Sequence, residues 1–415
     1  MKFATNLLLG YVLLSVSVAW ADGLRENTVR QAAKDTGLVP VETLLPEIDA
    51  QKAAAGKLLF ASKDLSLTRE IACQNCHLDQ FASADGIPLG IGTRGEGEGL
   101  ERMKKGGDML PRNTLPFWGR GAKGFNTFFW DGRVSLAGDD VTSQFGAAAP
   151  SIDPLVVAEH LPPVQIKEMV RDDDAAEALK TEDIKTASKI YSEIAQRIQR
   201  NESIAPLIQK AFGVDRSQIT YEHIAQSLAN FIRDRFQLQT TKFHRFVFSN
   251  ETLTEPELRG ALLFYGRGTC VSCHNGPYFS DLQFHAIPFD QFGRGANGFG
   301  IDFGRYNVTA DPSDLYKFRT PPLYNVEKTA PYSHSGSVYS LPEAIRSHVD
   351  PLANSAVGTL DDRARAEFYR RLGAWSAEPV FGVELSEDDI SDLVAFLKTL
   401  SFEDVRATST AKARE

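Results

Sequence analysis

The chain has 415 residues, with 45 basic and 54 acidic side chains and a formal net charge of −9. An acidic surface argues against nucleic acid as a partner, because phosphate binding needs a basic face. It permits a basic electron-transfer partner.

Residues 1–21 carry one lysine, an apolar run and Ala19-Trp20-Ala21 ahead of Asp22. This reads as an export signal cleaved after about Ala21, because the run is short for a spanning helix and a small-x-small site follows it. Its one charge is Lys2, so cleavage takes the net charge from −9 to −10. No later stretch is apolar and long enough to cross a bilayer. The expectation is a periplasmic protein, not an integral membrane one. Its mature length suits about two or three modest domains.

The first predicted helix covers residues 48–61, with Ala53, Leu58, Leu59 and Phe60 on its apolar face. Cys73-Gln74-Asn75-Cys76-His77 follows, and then a loop over 82–116 rich in glycine and charge. Helical periodicity returns over 175–201, where Ile190, Ile194 and Ile198 recur every four residues. It continues over 221–248 with Ile224, Leu228, Phe231 and Ile232. Both stretches read as core helices. At Thr254 a capping signal opens another helix, with Pro256 in its first turn and Glu257 completing a capping box. That helix ends in Leu262-Leu263-Phe264 and leads to Cys270-Val271-Ser272-Cys273-His274. A second loop, 286–314, is rich in Gly, Phe and Asp, and residues 386–400 form a last amphipathic helix with Ser386 as N-cap. The tail after Glu403 is polar. The class is mainly α.

All four cysteines fall in two copies of one pattern. Two thiols three positions apart can add to the vinyl groups on one edge of a haem, and the next histidine then binds the iron from below. An all-cysteine zinc site would leave the two histidines as coincidence, and a redox dithiol would want a βαβ context that is absent. The sequence therefore predicts two covalently bound haems of c type, with Cys73, Cys76 and His77 on the first and Cys270, Cys273 and His274 on the second. The shared LLF ahead of each motif suggests a duplicated, cytochrome c-like unit. The expected organisation is two haem domains packed together, 22–240 and 241–405, with long connecting loops and a flexible tail at 406–415.

What opposes each proximal histidine sets the chemistry: an open face binds peroxide or oxygen, and a second strong ligand makes an electron carrier. Methionine occurs only at positions 1, 103, 109 and 169, none of them after the second motif. The remaining histidines are His160, His223, His244, His285, His334 and His348.

Several separate segments then resemble the bacterial di-haem cytochrome c peroxidases and the related MauG-type enzymes. The pair Pro111-Arg112-Asn113-Thr114 and Phe129-Trp130-Asp131-Gly132-Arg133 is similar to the family's PRN and FWDGR. By that match Trp130 relays electrons between the haems. Thr329-Ala330-Pro331-Tyr332-Ser333-His334-Ser335-Gly336 is similar to the family's TAPYxHDG, with Ser335 where Asp is frequent. The resemblance implies a calcium ion between the haems, held by Asn113 and the carbonyls of Thr329 and Pro331. In the segment ending Arg346-Ser347-His348, family peroxidases carry Met at the last position and MauG-type enzymes carry Tyr. His348 departs from both and implies a second haem ligated by His274 and His348. Imidazole favours ferric iron more than thioether does, so the potential of that haem is expected to be lower than in a Met-ligated relative.

Pro162 to Met169 resembles a shorter NPVEM stretch, with residues 165–167 as an insertion. The match makes Glu168 the distal acid/base of the first haem and Gln144 a second distal residue; Glu159 and His160 are rivals. No histidine lies between Leu78 and Pro111, where many such peroxidases close that haem, so an open face is expected. The implied activity is peroxide reduction at the first haem, with electrons relayed through the second. They come from a small redox protein or from a protein substrate, and a homodimer is compatible with this reading. The competing reading is a non-enzymatic di-haem electron carrier.

Overall fold

In this computed structural model, residues 23–403 are described, apart from 145, 149, 150, 173, 299, 354 and 356. The expected signal peptide and the tail at 406–415 lie outside the described residues. Among those described, no helix is long and apolar enough to cross a membrane.

The architecture is mainly α. Its principal helices are α1 (Ala50–Ala61), α2 (Ile184–Gln199), α3 (Ala205–Phe212), α4 (Tyr221–Arg235), α5 (Glu255–Tyr265), α6 (Leu341–Val349), α7 (Asp362–Trp375) and α8 (Glu387–Lys398). A small antiparallel meander, β1 (Thr127–Phe128), β2 (Val134–Ala137) and β3 (Asp140–Ser143), lies between α1 and α2, with Phe128 opposite Val134 and Val134 opposite Ser143. A second antiparallel pair joins β4 (Phe284–His285) to β5 (Phe318–Arg319).

Local chemistry fixes the helix starts. Asp49 accepts from the backbone N–H groups of Gln51 and Lys52 at the head of α1. At the head of α5 the Thr254 N–H donates to the Glu257 carboxylate at 2.7 Å, completing the capping box. Both long helical stretches expected from the periodicity are broken. The 175–201 stretch is interrupted at 181–183, where Asp183 accepts from the Thr186 N–H at 2.8 Å and opens α2. The 221–248 stretch stops after α4, and Thr241 caps a separate helix, Lys242–Phe248. Hydrophobic period alone does not reveal such breaks, because the apolar stripe continues across them.

Ile190, Ile194 and Ile198 of α2 are all buried. Each burial stabilises by roughly 1.5–3 kcal/mol. Arg197, one turn from Ile194, donates to the carbonyls of Ser66 (2.8 Å) and Leu67 (2.9 Å). This anchors the segment that leads to the first cysteine motif.

The suspected duplication has a physical basis that the sequence reading missed. Helix α1 packs on α4, and α5 packs on α8. Gly56 and Gly260 each stand three residues before the second leucine of LLF. A Cβ on Gly56 would lie 2.0 Å from the Ser227 carbonyl oxygen and 2.7 Å from Phe231 Cβ; one on Gly260 would lie 2.0 Å from the Asp392 oxygen and 2.8 Å from Phe396 Cβ. Two helix pairs thus cross at the same glycine, each against a residue and a phenylalanine four positions on.

A buried ion cluster joins segments far apart in the chain. Arg112 grips Asp302 through two hydrogen bonds, at 2.8 and 3.0 Å, and its third arm meets Asp131 at 2.5 Å. Arg133 adds bonds to the same Asp131 at 2.7 and 3.0 Å. Burial pushes both carboxyls up, yet the guanidiniums outweigh it and hold Asp131 and Asp302 well below the usual range.

Two expectations follow from this packing. Gly260→Ala forces α5 from α8 and should cost about 1–3 kcal/mol. Gly373→Ala, inside α7 with open space at its Cβ, should gain about 0.5–1 kcal/mol. Denaturant unfolding of the haem-loaded protein checks both signs. Arg112→Leu strips two buried carboxylates of their partner and should cost roughly 3–5 kcal/mol in the same measurement.

Candidate functional site

Each cysteine motif forms a single short turn, Cys73–Asn75 and Cys270–Ser272. None of the four cysteines is in a disulfide, and in each turn the histidine N–H donates to the carbonyl of the first cysteine, at 3.1 Å for His77 and 2.9 Å for His274. The turn therefore gathers two thiols and an imidazole at one edge. Nδ1 of His77 bonds the Ser83 carbonyl at 2.8 Å, and Nδ1 of His274 bonds the Phe279 carbonyl at 2.9 Å. With the Nδ1 proton spent on a carbonyl, Nε2 carries the lone pair for a metal. Burial pushes the His77 imidazole down to about 3 and that of His274 to about 4, so both are neutral at neutral pH.

The second centre lies in a largely apolar cavity lined by Cys270, Cys273, His274, Trp130, Phe289 and His348. His348 sits on α6, and its Nδ1 bonds the Ala344 carbonyl at 2.7 Å. The Trp375 indole N–H donates to the His348 carbonyl at 2.9 Å, fixing the end of that helix. The ring centres of His274 and His348 are 6.4 Å apart. An iron bonded to two imidazoles at about 2 Å each holds their ring centres roughly 6 Å apart. The residues present therefore fit a six-coordinate haem iron.

At the rim of this cavity a cluster appears that the sequence did not signal. His285 bonds Asp281 at 2.8 Å and Glu378 at 2.7 Å, beside Cys273. Burial works against its charge, but the hydrogen bonds to Asp281 and Glu378 push its proton affinity up. Its partner Glu378 comes from the turn after α7, 93 residues away in sequence.

Two carboxyls, Glu159 and Glu168, act electrostatically on Cys73. Burial pushes Glu159 up to about 8, with Arg120 opposing and Glu168 adding; burial pushes Glu168 up to about 7, with Arg133 opposing. His160 takes a different place. Its Nδ1 bonds the Val156 carbonyl at 2.9 Å, its Nε2 faces Glu222 at 3.7 Å, and its ring packs edge-on against both Tyr191 and Tyr221, which also touch each other. Gln144 sits half-buried in the turn after β3, and none of the interactions joining the glutamates to Cys73 passes through it. Residues 165–167, the expected insertion, close on themselves: Lys167 N–H meets the Val170 carbonyl at 2.6 Å, and the Thr93 N–H donates to the Lys167 carbonyl at 2.8 Å. Close by, Arg120 is buried, with one terminal nitrogen lacking a partner among the described residues. It acts on both His77 and Glu159. An orphaned guanidinium beside His77 is the complement of a haem carboxylate, so this cradle also fits the group.

Trp130 lies at the wall of the second cavity. Its indole N–H donates to the Asn113 carbonyl at 2.9 Å, and its own carbonyl accepts from the Arg319 N–H at 2.8 Å. Asp131 and Arg133, which follow it in sequence, lead to Gln165, which Arg133 bonds at 3.2 Å, and so to Glu168. The Asn113 side chain meets the Pro331 carbonyl at 3.3 Å and those of Ile87 and Pro88 at 3.2 and 3.1 Å, and Thr329 lines the same cavity. Three oxygen-bearing groups thus converge on the residue expected to bind calcium.

Comparison with known proteins agrees with this geometry. Residues 50–252 match the family model for di-haem cytochrome c peroxidase. The chain is 26% identical to the cytochrome c551 peroxidase of Nitrosomonas europaea, over 89% of this chain and 85% of that one. It is 28% identical to the methylamine utilization protein MauG of Methylorubrum extorquens, over 86% and 80%. Among solved structures, a MauG-like protein associated with microbial copper homeostasis superposes with a TM-score of 0.62 at 26% identity, covering 90% of this chain and 95% of that one. The chain belongs to the di-haem cytochrome c peroxidase and MauG family, carries two covalently bound c-type haems, and is a peroxidase-type oxidoreductase with peroxide as acceptor.

Proposed function

We propose that the haem on Cys73, Cys76 and His77 is the peroxide-reacting centre, and that the haem on Cys270, Cys273, His274 and His348 feeds it electrons through Trp130. The observation that carries this division of labour is the 6.4 Å spacing of His274 and His348. That spacing would let both imidazoles hold the second iron, whereas the groups that act on Cys73 at the first centre include two carboxyls.

Haem iron with an open face supplies peroxide binding and takes up the oxidising equivalents released when the O–O bond breaks. The protein handles the protons. Glu168 accepts a proton from the near oxygen of peroxide and returns it to the leaving oxygen, which departs as water. Glu159, whose proton affinity burial raises, donates a hydrogen bond to the same oxygen when protonated. Gln144 completes the distal face. Arg133 opposes the rise of Glu168 and links the distal turn to the β1–β2 connection that carries Trp130. The indole is readily oxidised for a side chain and touches the wall of the second cavity, which suits it to pass single electrons.

Asn113, Thr329 and Pro331 hold a calcium ion between the centres, an all-oxygen set that suits this cation. The domain division is 22–240 and 241–405, with export to a periplasm by the leader at 1–21. Electrons arrive from a small redox protein or from a protein substrate.

Two measurements bear on the reading. His348→Met should raise the potential of the second haem by tens to hundreds of millivolts, within the roughly 0.8 V that axial ligands command. Spectroelectrochemical titration reads it, and an unchanged potential would remove His348 from the iron. The rate constant for peroxide should fall as pH drops through about 7, because Glu168 must be ionised to take the proton. Glu168→Gln should lower it about 10²–10⁴-fold and flatten that profile in stopped-flow mixing.

A further inference from the structure

A second aromatic path runs behind the two centres, apart from Trp130. Phe117 packs against His77 with ring centres 4.0 Å apart. From there the rings follow one another: Phe236 at 5.2 Å from Phe117, Trp118 at 5.6 Å from Phe236, and Phe402 at 5.0 Å from Trp118. Tyr324 stacks on Phe402 at 5.5 Å and lies 5.5 Å from Phe279. The Phe279 carbonyl accepts the Nδ1 hydrogen bond of His274. Ring contacts therefore connect one proximal histidine to the backbone that holds the other.

Only two members of this path give up an electron readily, Trp118 and Tyr324, and their surroundings differ. Trp118 is buried, and its indole nitrogen has no hydrogen-bond partner among the described residues. With no acceptor for its proton, an oxidised Trp118 stays a cation and passes the hole on. Tyr324 is also buried; its hydroxyl donates to the Pro277 carbonyl (2.8 Å) and lies 3.3 Å from Nε2 of His244, near enough for the O–H to turn to it. A carbonyl does not take a proton, and an imidazole does. Nδ1 of His244 lies 2.9 Å from the Thr241 hydroxyl, which also accepts from the His244 N–H. In the tautomer whose Nδ1–H donates to Thr241, Nε2 is the acceptor. Burial keeps the ring neutral, pushing it down to about 4. The Tyr324 and His244 rings are stacked at 12° and 5.8 Å.

We propose that Tyr324, with His244 as its proton acceptor and Trp118 as the intermediate stop, reversibly stores one oxidising equivalent on the proximal side of the two haems. One electron leaves the phenol and fills one of the two equivalents that a peroxide molecule deposits on the haem pair. The phenolic O–H bond breaks, and the proton forms a bond to His244 Nε2. The products are a neutral phenoxyl radical and an imidazolium. An electron from the external donor reverses the step, and the proton returns to oxygen. The tyrosine is the terminal stop because loss of its proton lowers the energy of the radical, whereas the indole cannot gain in that way.

The test is electron paramagnetic resonance of the haem-loaded protein, frozen after one equivalent of peroxide, with ring-deuterated tyrosine incorporated to narrow any tyrosyl signal. Wild type should show a tyrosyl radical. Tyr324→Phe, which keeps the ring, should abolish it, and His244→Phe should diminish it. Trp130→Phe should leave it in place. A signal that survives Tyr324→Phe, or a narrowed signal absent from wild type, overturns the inference. The haem absorption recorded on the same samples separates the two levels of argument. A peroxide-induced change without a tyrosyl signal defeats the tyrosine alone, and no change defeats the peroxide-reacting centre with it.

Discussion

Arg112 is the point on which the geometry of the candidate site turns. Its guanidinium is buried and answers two buried carboxylates, Asp131 and Asp302, that come from segments 19 and 190 residues away. Its neighbour in sequence, Asn113, receives the Trp130 indole, and Asp131 is the residue after Trp130. The ion cluster therefore fixes both ends of that hydrogen bond at once. A charge triad of this kind is costly to bury, and a well-packed apolar substitute often serves stability as well or better. What such a substitute lacks is direction: a planar fork accepts only one arrangement of its carboxylates. The same cluster reaches Glu168 through Arg133, so one buried network both positions Trp130 and acts on Glu168.

The two centres differ in what the protein demands of a proton. Around His274 and His348 the nearby carboxyls, Asp281 and Glu378, are both bonded to His285, and both imidazoles spend their Nδ1 protons on backbone carbonyls. Around His77 two carboxyls with raised proton affinity face Cys73. Paired acids held near neutrality can both release and return a proton within one turnover, and such pairs mark acid–base sites. A carrier of electrons alone has no use for them, which is the physical reason for preferring the enzymatic reading over a simple di-haem carrier.

Much of this was legible in the sequence. The cysteine motifs name their own chemistry through spacing, and His348 stood out because it replaces a residue whose place in the resemblance is fixed. Trp130 and Asn113 were likewise carried by short motifs. What escaped was whatever depends on distant segments meeting. Nothing local marks Asp302 as the partner of Arg112, or Glu378 as the partner of His285. Glu159 and His160 are adjacent in sequence, and only the fold makes one act on Cys73 and packs the other against Tyr191 and Tyr221. The helix breaks at 181–183 and after α4 escaped for a different reason. They depend on capping by Asp183 and Thr241, single residues inside stripes that remain apolar.

The asymmetry between the centres grows from a repeated frame. In both halves a glycine on the helix before the cysteine motif lets a later helix approach to backbone contact, and the LLF that follows leads into the CxxCH turn. That much is common, and it fixes only the proximal side. The distal side is supplied by whatever chain lies between the turn and the closing helix. In the first half this includes the stretch from 153 to 170, whose tight turn at 165–167 presents Glu168. In the second it includes α6, whose last turn presents His348. A rigid turn that supplies the iron's first ligand leaves the opposite face to an insertion free to vary, as expected where binding residues sit on loops carried by a fixed scaffold. One frame, used twice, can therefore carry a centre that reacts and a centre that only conducts.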